Sequence, residues 1–533
     1  MFLFLTTTQT ERNARKSGYK VTQSDDRYDL FGFFDAHSVK ARLKQRKSYP
    51  KTYCKLDTSQ EVLLGYGPEA PSSDDEFLHI SLTRTGVIEV VRDVHCTLPL
   101  FYGYDGATFV VSNSYEAVCA SLPHLRLNPR GVAHTLVGAT EPLITVWDEV
   151  HILGERETLR FDAIHGKLSK QTPPARSWRF NSELTPTQPR DFPDFFESRL
   201  KHFVDTRLRS ADRVGLQISG GLDSSILPLY LRAHSTDLST VNASFALPAN
   251  QAEHEQKIRT LQDVIGRPIH IEYPEPDHDY PLAPNLQHPA PFYPSNEIYE
   301  AVFARVADYF QSQGVDVMVN GFGGDELFEH LPDDCSPERY GELPNFLLPG
   351  CPLPEPTPHA ATTLLASTTL PGTVTANNMY IDRDIWPVSP YYDVPLFNFC
   401  QALPVQFRAN KNILRAYCEA YRFPPILYRY PKQEYFAEFF RASFFSPSYA
   451  RFFRSMTSSR CITELYGFVD PLKVQALYDE ALDHEELDDQ LIHLYAWLAL
   501  ECSLRWTTFQ PPRAAQAPPL YHDAAAHHPI AFV

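Results

Sequence analysis

The sequence predicts a two-part protein of mixed class, α+β in its first part and α/β with a parallel sheet in its second. Residues 1–175 consist largely of short β-like runs separated by turn residues, such as residues 87–91 and 107–111. Beyond residue 190, strand-like and helix-like segments alternate, which is typical of a parallel sheet with helices on its faces. Residues 173–189 are rich in Pro, Thr, Ser and Gln without apolar periodicity, so we place a linker there.

Composition excludes several classes of protein. The chain has 533 residues with 48 Lys+Arg against 65 Asp+Glu, and its net charge of −17 argues against a nucleic-acid scaffold. No apolar run approaches the roughly 18–20 residues that span a bilayer, and the apolar start at residues 2–5 is too short for a signal peptide. The nine cysteines form no C-x-x-C pair and are expected to be buried thiols. We therefore expect a cytoplasmic protein with neither a nucleic-acid nor a membrane partner.

Local patterns define each element of the second part. Apolar residues recur at helical spacing as far as Leu208, which predicts a helix. Asp191 can cap this helix, with Pro193 in its first turn. The segments that follow are a strand at 214–218, a helix from Ser225, a strand at 241–246, a helix at 252–265, a strand at 269–273, a helix at 295–313 and a strand at 315–319. Residues 333–378 are Pro- and Thr-rich without clear periodicity, which indicates a long functional loop or partial disorder. Residues 513–533 are expected to be a flexible tail.

The first glycine cluster follows the strand that ends at Ile218 and opens a helix. Its residues are Ser219, Gly220, Gly221, Leu222, Asp223, Ser224 and Ser225. Glycines let the backbone approach an anion closely, and hydroxyls and free amides at a helix N-terminus supply hydrogen-bond donors. The G-K-[ST] ending of a Walker loop is missing, and Asp223 stands where a metal-bridged pyrophosphate would lie. The cluster therefore predicts a phosphate-binding loop; the simpler interpretation is a capped β-to-α turn.

A second glycine cluster follows a second strand that is expected to be buried. It comprises Asn320, Gly321, Phe322, Gly323, Gly324 and Asp325, followed by Glu326, Leu327 and Phe328. Both clusters come at the C-terminal ends of parallel strands, where open α/β sheets bind their ligands. Asp223 and Asp325 are then available to hold Mg²⁺, with phosphate oxygens completing its coordination.

These residues carry a resemblance to a known family. Residues 219–225 are similar to the S-G-G-x-D-S pyrophosphate loop of the ATP-pyrophosphatase enzymes, and their pairing with residues 321–328 resembles the asparagine synthetase branch. The resemblance continues in segments of matching order and spacing: Ser389-Pro390-Tyr391-Tyr392-Asp393, Leu403-Pro404, Lys411, Leu414-Arg415, Pro425-Ile426 and Arg429-Tyr430-Pro431-Lys432-Gln433. In the N-terminal half, Arg92-Asp93 and residues 99–102 and 109–112 resemble the glutamine amidotransferase domain of that family.

The resemblance implies domains, cofactors and catalytic residues. Residues 1–175 would form a degenerate class II glutamine amidotransferase-like domain, a β-rich sandwich of the Ntn type. Residues 190–512 would form the α/β ATP-pyrophosphatase domain, which is adenine nucleotide α-hydrolase-like, before the tail. ATP and Mg²⁺ are the implied cofactors. The further residues implied to contact ATP, mostly through their backbone, are Ile218, Ser244, Phe245, Gly321, Gly323 and Gly324. Asp223 and Asp325 would act through the metal, and Lys432 would stabilise the oxyanion that forms when an amine attacks the activated carbonyl.

The sequence departs from the family pattern at two places. Glutamine hydrolysis there relies on an N-terminal cysteine, whereas position 2 is Phe2 and the first cysteine is Cys54. The amidotransferase-like domain is therefore expected to be catalytically inactive. The second departure is Phe322, where glutamine-dependent asparagine synthetases look to have Glu and β-lactam synthetase has Tyr. A phenyl ring cannot accept a proton, so the attacking amine must lose its proton without a base at this position. A peptide α-amine needs little such help, because its pKa is about 7.7–8.0.

Both departures fit a third branch of the family, the cyclases that close the isopeptide macrolactam ring of lasso peptides. That resemblance implies a precursor (core) peptide as substrate, with a leader peptidase and a leader-recognition protein of the same pathway as candidate partners. An aromatic cavity for such a peptide could draw on Phe292, Tyr293, Phe436 and Phe439. Two alternatives stay open, an ammonia-dependent asparagine synthetase or other small-acid amide ligase of the β-lactam synthetase kind, and a non-catalytic scaffold that binds peptide or nucleotide.

Overall fold

A computed structural model gives the fold of the chain. It describes residues 3–9, 18–24, 27–34, 37–44, 50–56, 62–67, 75–137, 144–172, 191–234, 237–248, 251–287, 289–295, 297–328, 343–352, 369–429, 436–484 and 488–508. The predicted linker, the predicted tail and Lys432 lie outside these residues.

The first half of the chain forms two antiparallel sheets. Their strands are β1 (Leu3–Gln9), β2 (Gly18–Ser24), β3 (Arg27–Phe34), β4 (His37–Lys44), β5 (Thr52–Leu56), β6 (Val62–Tyr66), β7 (Leu78–Leu82), β8 (Val87–Arg92), β9 (Phe101–Tyr104), β10 (Thr108–Ser112), β11 (Val150–Ile152), β12 (Thr158–Asp162) and β13 (Lys167–Gln171). One sheet has the order β11-β9-β10-β1-β4-β3-β2 and the other the order β13-β12-β8-β7-β6-β5. Helices α1 (Tyr115–Ser121) and α2 (Pro129–Leu136) lie between β10 and β11 in the chain.

The two sheets share one apolar core. Strands β7 and β8 alternate buried and half-exposed residues, the period-2 pattern of a sheet with one buried face. Across the core, Phe109 of the first sheet stacks on Phe161 of the second with ring centroids 4.4 Å apart. The predicted β-rich first half is thus confirmed, while its amidotransferase-like identity stays a prediction.

A five-stranded parallel sheet is the centre of the second half. Its strands are β14 (Val214–Gln217), β15 (Thr240–Phe245), β16 (Ile269–Glu272), β17 (Val317–Val319) and β18 (Trp386–Val388), in the order β16-β15-β14-β17-β18. All of its strand pairs are parallel. The chain runs outward from β14 to β16 and then places β17 on the other side of β14. Such a reversal opens a crevice at the carboxyl ends of the two central strands.

Helices surround this sheet and form the C-terminal part of the chain. They are α3 (Phe192–Phe203), α4 (Leu222–Ala233), α5 (Gln251–Ile265), α6 (Ala283–Gln287), α7 (Glu300–Ser312), α8 (Gly324–Phe328), α9 (Thr369–Asp382), α10 (Val394–Ala402), α11 (Val405–Arg408), α12 (Asn412–Ala420), α13 (Phe436–Phe444), α14 (Pro447–Ser458), α15 (Ile462–Leu465), α16 (Pro471–Asp483) and α17 (Asp488–Thr508). The side chains of Asp393, Ser446 and Asp470 cap α10, α14 and α16 by accepting hydrogen bonds from first-turn amides.

The alternating pattern of strands and helices is confirmed with shifted boundaries. Helix α4 begins at Leu222 and not at Ser225, because Gly221 takes the extended conformation of an N-cap. Helix α3 begins where predicted, but the side chain of Asp191 makes no capping hydrogen bond. The helix predicted from residue 295 begins only at Glu300.

Strand β18 and helix α9 are among the elements that the sequence analysis did not predict. Strand β18 has only three residues and contains Pro387, so it lacks a strand pattern. Helix α9 occupies the end of the segment predicted as a loop or partly disordered, because burial of Tyr380 and Ile381 stabilises a helix that its Thr, Pro and Gly content disfavours. Within the described part of the chain, no helix combines the length and apolar composition needed to cross a bilayer. Of the seven cysteines whose side chains are described, six are buried thiols as expected, and Cys351 is half-buried.

Candidate active site

The two glycine clusters meet where the strand order reverses. They continue from the neighbouring strands β14 and β17, in which Leu216 is paired with Val319. A methyl group added at Gly324 would lie 2.6 Å from Cγ of Asp223, and one added at Gly321 would lie 3.2 Å from the backbone nitrogen of Ser224. Only glycine at these positions allows the two turns to approach so closely.

Asp223 and Asp325 face a common cation, which is the ammonium group of Lys411. The Lys411 Nζ atom forms ion pairs with Oδ2 of Asp223 and Oδ1 of Asp325. The lysine side chain is 5% exposed, whereas that of Asp325 is 39% exposed and opens the site toward solvent. Burial alone would lower the pKa of Lys411, but the two carboxylates outweigh it and raise that pKa above its ordinary value. The sequence had assigned no role to Lys411.

The same two carboxylates suit the predicted magnesium ion. Carboxylate oxygens are the ligands that Mg²⁺ prefers, and the ion pairs show that one positive charge fits between them. No group of three or more His, Cys, Asp or Glu side chains able to hold a metal occurs among the described residues. Two carboxylates leave most of the coordination shell to phosphate oxygens and water, as is usual for Mg²⁺ bound with a nucleotide. Asp223 and Asp325 are therefore the residues that would hold it.

Lys411 reaches the site from a strained backbone. Asn410 and Lys411 have φ angles of +54° and +56°, in the left-handed region that non-glycine residues avoid at a cost of order 1–3 kcal/mol each. From helix α12, Arg415 Nε donates to the Asn410 carbonyl oxygen at 2.7 Å, and Arg415 also donates to the carbonyl oxygen of Tyr428. The arginine therefore holds the turn that places the ammonium group between the aspartates.

Residues of the first glycine cluster divide into two groups. Ser219 is exposed, and its backbone N–H donates to Ser224 Oγ at 3.0 Å. Ser225 is buried, and its hydroxyl donates to the Gly221 carbonyl oxygen at 2.7 Å. Leu222 packs its side chain into the core and offers only its backbone. The groups left to face a phosphate are those of Ser219, Gly220, Gly221 and Ser224.

The predicted adenine-side residues turn their side chains into the protein. Ile218 and Ser244 are both 0% exposed, and Ser244 Oγ lies 2.9 Å from Nε2 of the buried His254. Phe245 packs against Phe303 and Phe436, with ring centroids 5.8 and 5.5 Å apart. Ile218 and Ser244 have no exposed surface and Phe245 is packed in the core, so contact between these residues and a nucleotide stays a prediction.

A segment after β18 ties the two glycine clusters together. Tyr391 is buried and its hydroxyl donates to the Asp223 carbonyl oxygen at 2.8 Å, while Ser389 Oγ donates to the Phe322 carbonyl oxygen at 2.6 Å. A methyl group at Gly323, whose φ is +88°, would lie 2.7 Å from Cε1 of Tyr392. Sequence comparison marked this segment as part of a family pattern but gave it no role, because its contacts join residues far apart in the chain.

Lys432 lies outside the described residues, but the residues on both sides of it approach the site. Tyr428 is held by Arg415 next to the Lys411 turn, and Phe436 packs against Phe245 at the end of β15. Phe436 also contacts Tyr299, with ring centroids 4.3 Å apart. Of the other candidate aromatics, Tyr293 contacts Phe101 and Tyr115 and Phe439 is 2% exposed, so both belong to the packed interior, whereas Phe292 is half-buried and contacts Trp506.

Fold and site together define an α/β protein with glycine turns and two carboxylates at the reversal point of a parallel sheet, an arrangement typical of nucleotide-binding sites. Sequence comparison then identifies the family: the profile described as asparagine synthase matches residues 196–343 and 352–505, more than half of the chain. The chain belongs to the asparagine synthase family. Enzymes of this family use ATP and Mg²⁺.

Individual proteins are similar to the chain at low identity. A protein of Methanocaldococcus jannaschii, named as a glutamine-hydrolysing asparagine synthetase, is 24% identical over 193 residues, which are 35% of this chain and 33% of that protein. The match thus spans about a third of the relative.

Two solved structures show a weak likeness. One, described as the allosteric regulatory enzyme of purine biosynthesis, has 9% identity and a TM-score of 0.19, covering 52% of this chain and 82% of its own. The other, the glutamine phosphoribosylpyrophosphate amidotransferase of B. subtilis complexed with ADP and GMP, has 10% identity and a TM-score of 0.19, covering 53% and 83%. At these scores the likeness supports no argument.

Proposed function

We propose that the chain is an ATP-dependent, AMP-forming carbon–nitrogen ligase that closes a macrolactam ring in a precursor peptide. One observation carries the ligase assignment: Asp223 and Asp325, on turns after neighbouring parallel strands, converge on a single cation beside the glycine turn at residues 220–221. This arrangement suits a magnesium-bound pyrophosphate. Membership of the asparagine synthase family supports the same chemistry.

The first step is adenylation of the substrate. A carboxylate oxygen attacks the α-phosphorus of ATP, the bond from that phosphorus to the oxygen bridging to the β-phosphate breaks, and pyrophosphate leaves. Backbone amides of the first cluster and the ammonium group of Lys411 face the charge that develops on the leaving group. Mg²⁺ held by Asp223 and Asp325 would neutralise more of that charge.

The second step forms the amide. An amine nitrogen attacks the carbonyl carbon of the acyl-adenylate, and AMP departs with the oxygen of the mixed anhydride. Lys432 is our candidate for stabilising the tetrahedral oxyanion, and losing such a donor typically costs about 3–4 kcal/mol of transition-state stabilisation. Phe322 is half-buried and packs edge-to-face on Phe303 at 6.1 Å, so it offers the amine no base. The amine must therefore give its proton to solvent or phosphate, which favours an amine of low basicity.

A peptide N-terminal amine meets that requirement better than ammonia or a lysine side chain, because its ordinary pKa is about 7.7–8.0. We therefore take the second reactant to be the N-terminus of a precursor peptide and the first to be an Asp or Glu side chain of the same peptide. The described cysteines of the first half, Cys96 and Cys119, are buried and have raised pKa values, so neither suits a glutaminase nucleophile. A leader peptidase and a leader-recognition protein are the proposed partners.

An ammonia-dependent ligase of small acids is the second candidate. It is favoured by the name of the M. jannaschii relative, an asparagine synthetase. That activity would need a closed site that accepts aspartate and ammonia, and both candidates share the adenylation step.

Product analysis separates the candidates. Purified full-length protein is incubated with ATP and Mg²⁺, with either a leaderless candidate core peptide or aspartate plus ammonium chloride, and nucleotides are resolved by chromatography. We expect AMP and pyrophosphate with the peptide, together with a peptide product lighter by 18 mass units, the mass of the water lost in lactam formation. The Asp325→Asn variant should form no AMP.

Other outcomes overturn the proposal at different levels. AMP with asparagine as product assigns the small-acid ligase. ADP and phosphate as products rule out adenylation. Binding of ATP without turnover, with candidate peptides and partner proteins supplied, points to the scaffold.

A further inference from the structure

A buried imidazole lies beneath the phosphate-binding loop. His254, on the first turn of α5, is 7% exposed, and its Nε2 atom lies 2.9 Å from the hydroxyl oxygen of Ser244 near the carboxyl end of β15. Ser244 itself is completely buried. The hydrogen bond between His254 and Ser244 therefore joins α5 to β15. Strand β15 lies beside β14, and the phosphate-binding loop follows β14.

The same ring contacts the first glycine of the loop. A methyl group added at Gly220 would lie 2.9 Å from Cε1 and 3.1 Å from Nδ1 of His254, so the imidazole fills the space that a side chain at position 220 would need. Gly220 has a φ of +73°, a conformation that glycine adopts at little cost. One face of this left-handed residue is thus occupied by the His254 ring.

The imidazole is neutral at working pH. Burial, with a smaller contribution from Lys257, lowers the pKa of His254 from 6.5 to about 4. A neutral ring has one nitrogen that donates and one that accepts, so it can share a hydrogen bond with the Ser244 hydroxyl without bringing a positive charge into the core.

We propose that His254 is a positioning residue for ATP binding: hydrogen-bonded to Ser244, it braces Gly220 so that the amides of the first glycine cluster are preorganised for phosphate. This inference rests on the proposed ATP site. Nothing in the sequence singled out His254, because its partners lie 34 and 10 residues away on other elements.

Preorganisation matters here because glycines are free to leave the bound conformation. Gly220 and Gly221 can populate many backbone states, and ligand binding must then overcome the entropy of ordering them. A ring packed on one face of Gly220 removes part of that cost before ATP arrives. Replacing His254 by Ala should release the loop and leave the Ser244 hydroxyl without its partner.

The test is the affinity of the full-length protein for ATP in the presence of Mg²⁺, measured by isothermal titration calorimetry. We expect His254→Ala to weaken binding about tenfold, which corresponds to about 1.4 kcal/mol. His254→Gln, which keeps volume and an amide able to bond Ser244, should stay within about threefold of the wild type. His278→Ala is the control, because His278 is 73% exposed and pairs with Glu275 at the surface.

Two further measurements keep the test decisive. Ser244→Ala retains the ring but removes its partner, and we expect an affinity between those of the wild type and His254→Ala. Thermal unfolding shows whether each variant is folded. If His254→Ala is unfolded, the ATP affinities of Ser244→Ala and His254→Gln test the positioning role instead. Equal affinities in all folded variants would overturn the positioning role. A wild type that does not bind ATP at all would instead refute the proposed ATP site.

Discussion

Lys411 combines three features that are rarely found together in one lysine. It is buried, it forms ion pairs with two carboxylates, and its backbone lies in the left-handed region. Each feature has a cost, and the desolvation of an ammonium group is compensated only when its partners are well placed. These unfavourable features are concentrated at the site where a magnesium ion and a pyrophosphate would bind and add further charge.

Replacing Lys411 by Met should separate its structural and electrostatic contributions. Without the ammonium group, the carboxylates of Asp223 and Asp325 repel each other, and we expect the metal-free protein to lose about 3 kcal/mol of unfolding free energy. Mg²⁺ should stabilise the variant more than the wild type, since it no longer competes with an ammonium group. The measurement is chemical unfolding with and without millimolar MgCl₂.

A matched control is the exposed pair of Lys201 and Asp205, whose lysine side chain is 70% exposed. Lys201→Met should change stability by less than about 0.5 kcal/mol. If Lys411→Met behaves like Lys201→Met, or if Mg²⁺ has the same effect on variant and wild type, the two aspartates do not share a cation.

His254 predicts a pH dependence of stability. Its pKa is about 4 in the folded protein against 6.5 ordinarily, so the unfolded state binds more protons between these values. Stability should therefore fall as pH is lowered from 6.5 to about 4, by at most about 3 kcal/mol, and this contribution should be constant above pH 7. Unfolding curves of wild type and His254→Gln between pH 4.5 and 8 test this. A stability difference that does not change with pH would contradict it.

The sequence identified part of the site because part of it is local. Asp223 and Asp325 stand in glycine-rich turns after apolar strands, so the residues next to them in the chain indicate a phosphate or metal site. Lys411 and His254 carry no such signal: the first meets Asp223 over 188 residues, and the second meets Gly220 because α5 packs beside α4, the helix that follows the loop. Side chains whose roles depend on tertiary contacts could not be assigned from one sequence.

The parallel sheet was predicted from alternation, but its strand order was not. Alternating strands and helices are consistent with several orders, and only the structure shows that β17 lies beside β14. Strand β18 is too short to show a period, although its burial in the sheet makes it as ordered as its neighbours. Elements that are stabilised mainly by their surroundings are those that local patterns miss.

The segment after β18 should couple the two glycine clusters. Tyr391→Phe removes the donor to the Asp223 carbonyl oxygen, and we expect a loss of about 1 kcal/mol in unfolding free energy. Because that carbonyl belongs to Asp223, which we propose as a magnesium ligand, ATP affinity in the presence of Mg²⁺ should also fall severalfold. Stability and titration calorimetry together measure both effects.

Tyr478→Phe provides the comparison. Its hydroxyl donates to the Phe444 carbonyl oxygen at 3.0 Å, and the side chain is as deeply buried as that of Tyr391 but belongs to α16, away from the glycine clusters. The same loss of stability with unchanged ATP affinity is expected there. Should Tyr391→Phe also leave ATP affinity unchanged, the segment would have a purely structural role.

The two halves of the chain meet through buried polar contacts as well as apolar ones. Glu76 of the first half is 4% exposed and accepts hydrogen bonds from Arg207 at 2.9 Å and from Trp386 Nε1 at 2.9 Å, both in the second half. Asn113 and Asn378 exchange two hydrogen bonds, of 3.1 and 2.8 Å. These contacts attach the first half to β18 and α9, two elements that flank the site.

The charge of Glu76 also raises the pKa of the neighbouring Asp93 carboxyl group. This effect predicts how the free energy of unfolding responds to pH. Asp93 is 2% exposed, and burial followed by the charge of Glu76 raises its pKa from 3.8 to about 7. The folded state then binds more protons than the unfolded state between pH 4 and 7, so this group makes stability fall as pH rises through that window. Arg92 and the amides of Phe77 and Cys96 oppose the shift.

Glu76→Gln should therefore have a pH-dependent cost. At pH 5, where Asp93 is protonated, the variant loses the buried pair with Arg207 and should be about 3 kcal/mol less stable than the wild type. At pH 8, where Asp93 is ionised, removing the charge of Glu76 also relieves a repulsion, so the cost should shrink. Comparing variant and wild type at each pH cancels the contribution of His254. The surface variant Glu275→Gln, at a side chain 69% exposed, should show no such trend. Equal costs for Glu76→Gln at both pH values would mean that Glu76 and Asp93 are not coupled across this boundary.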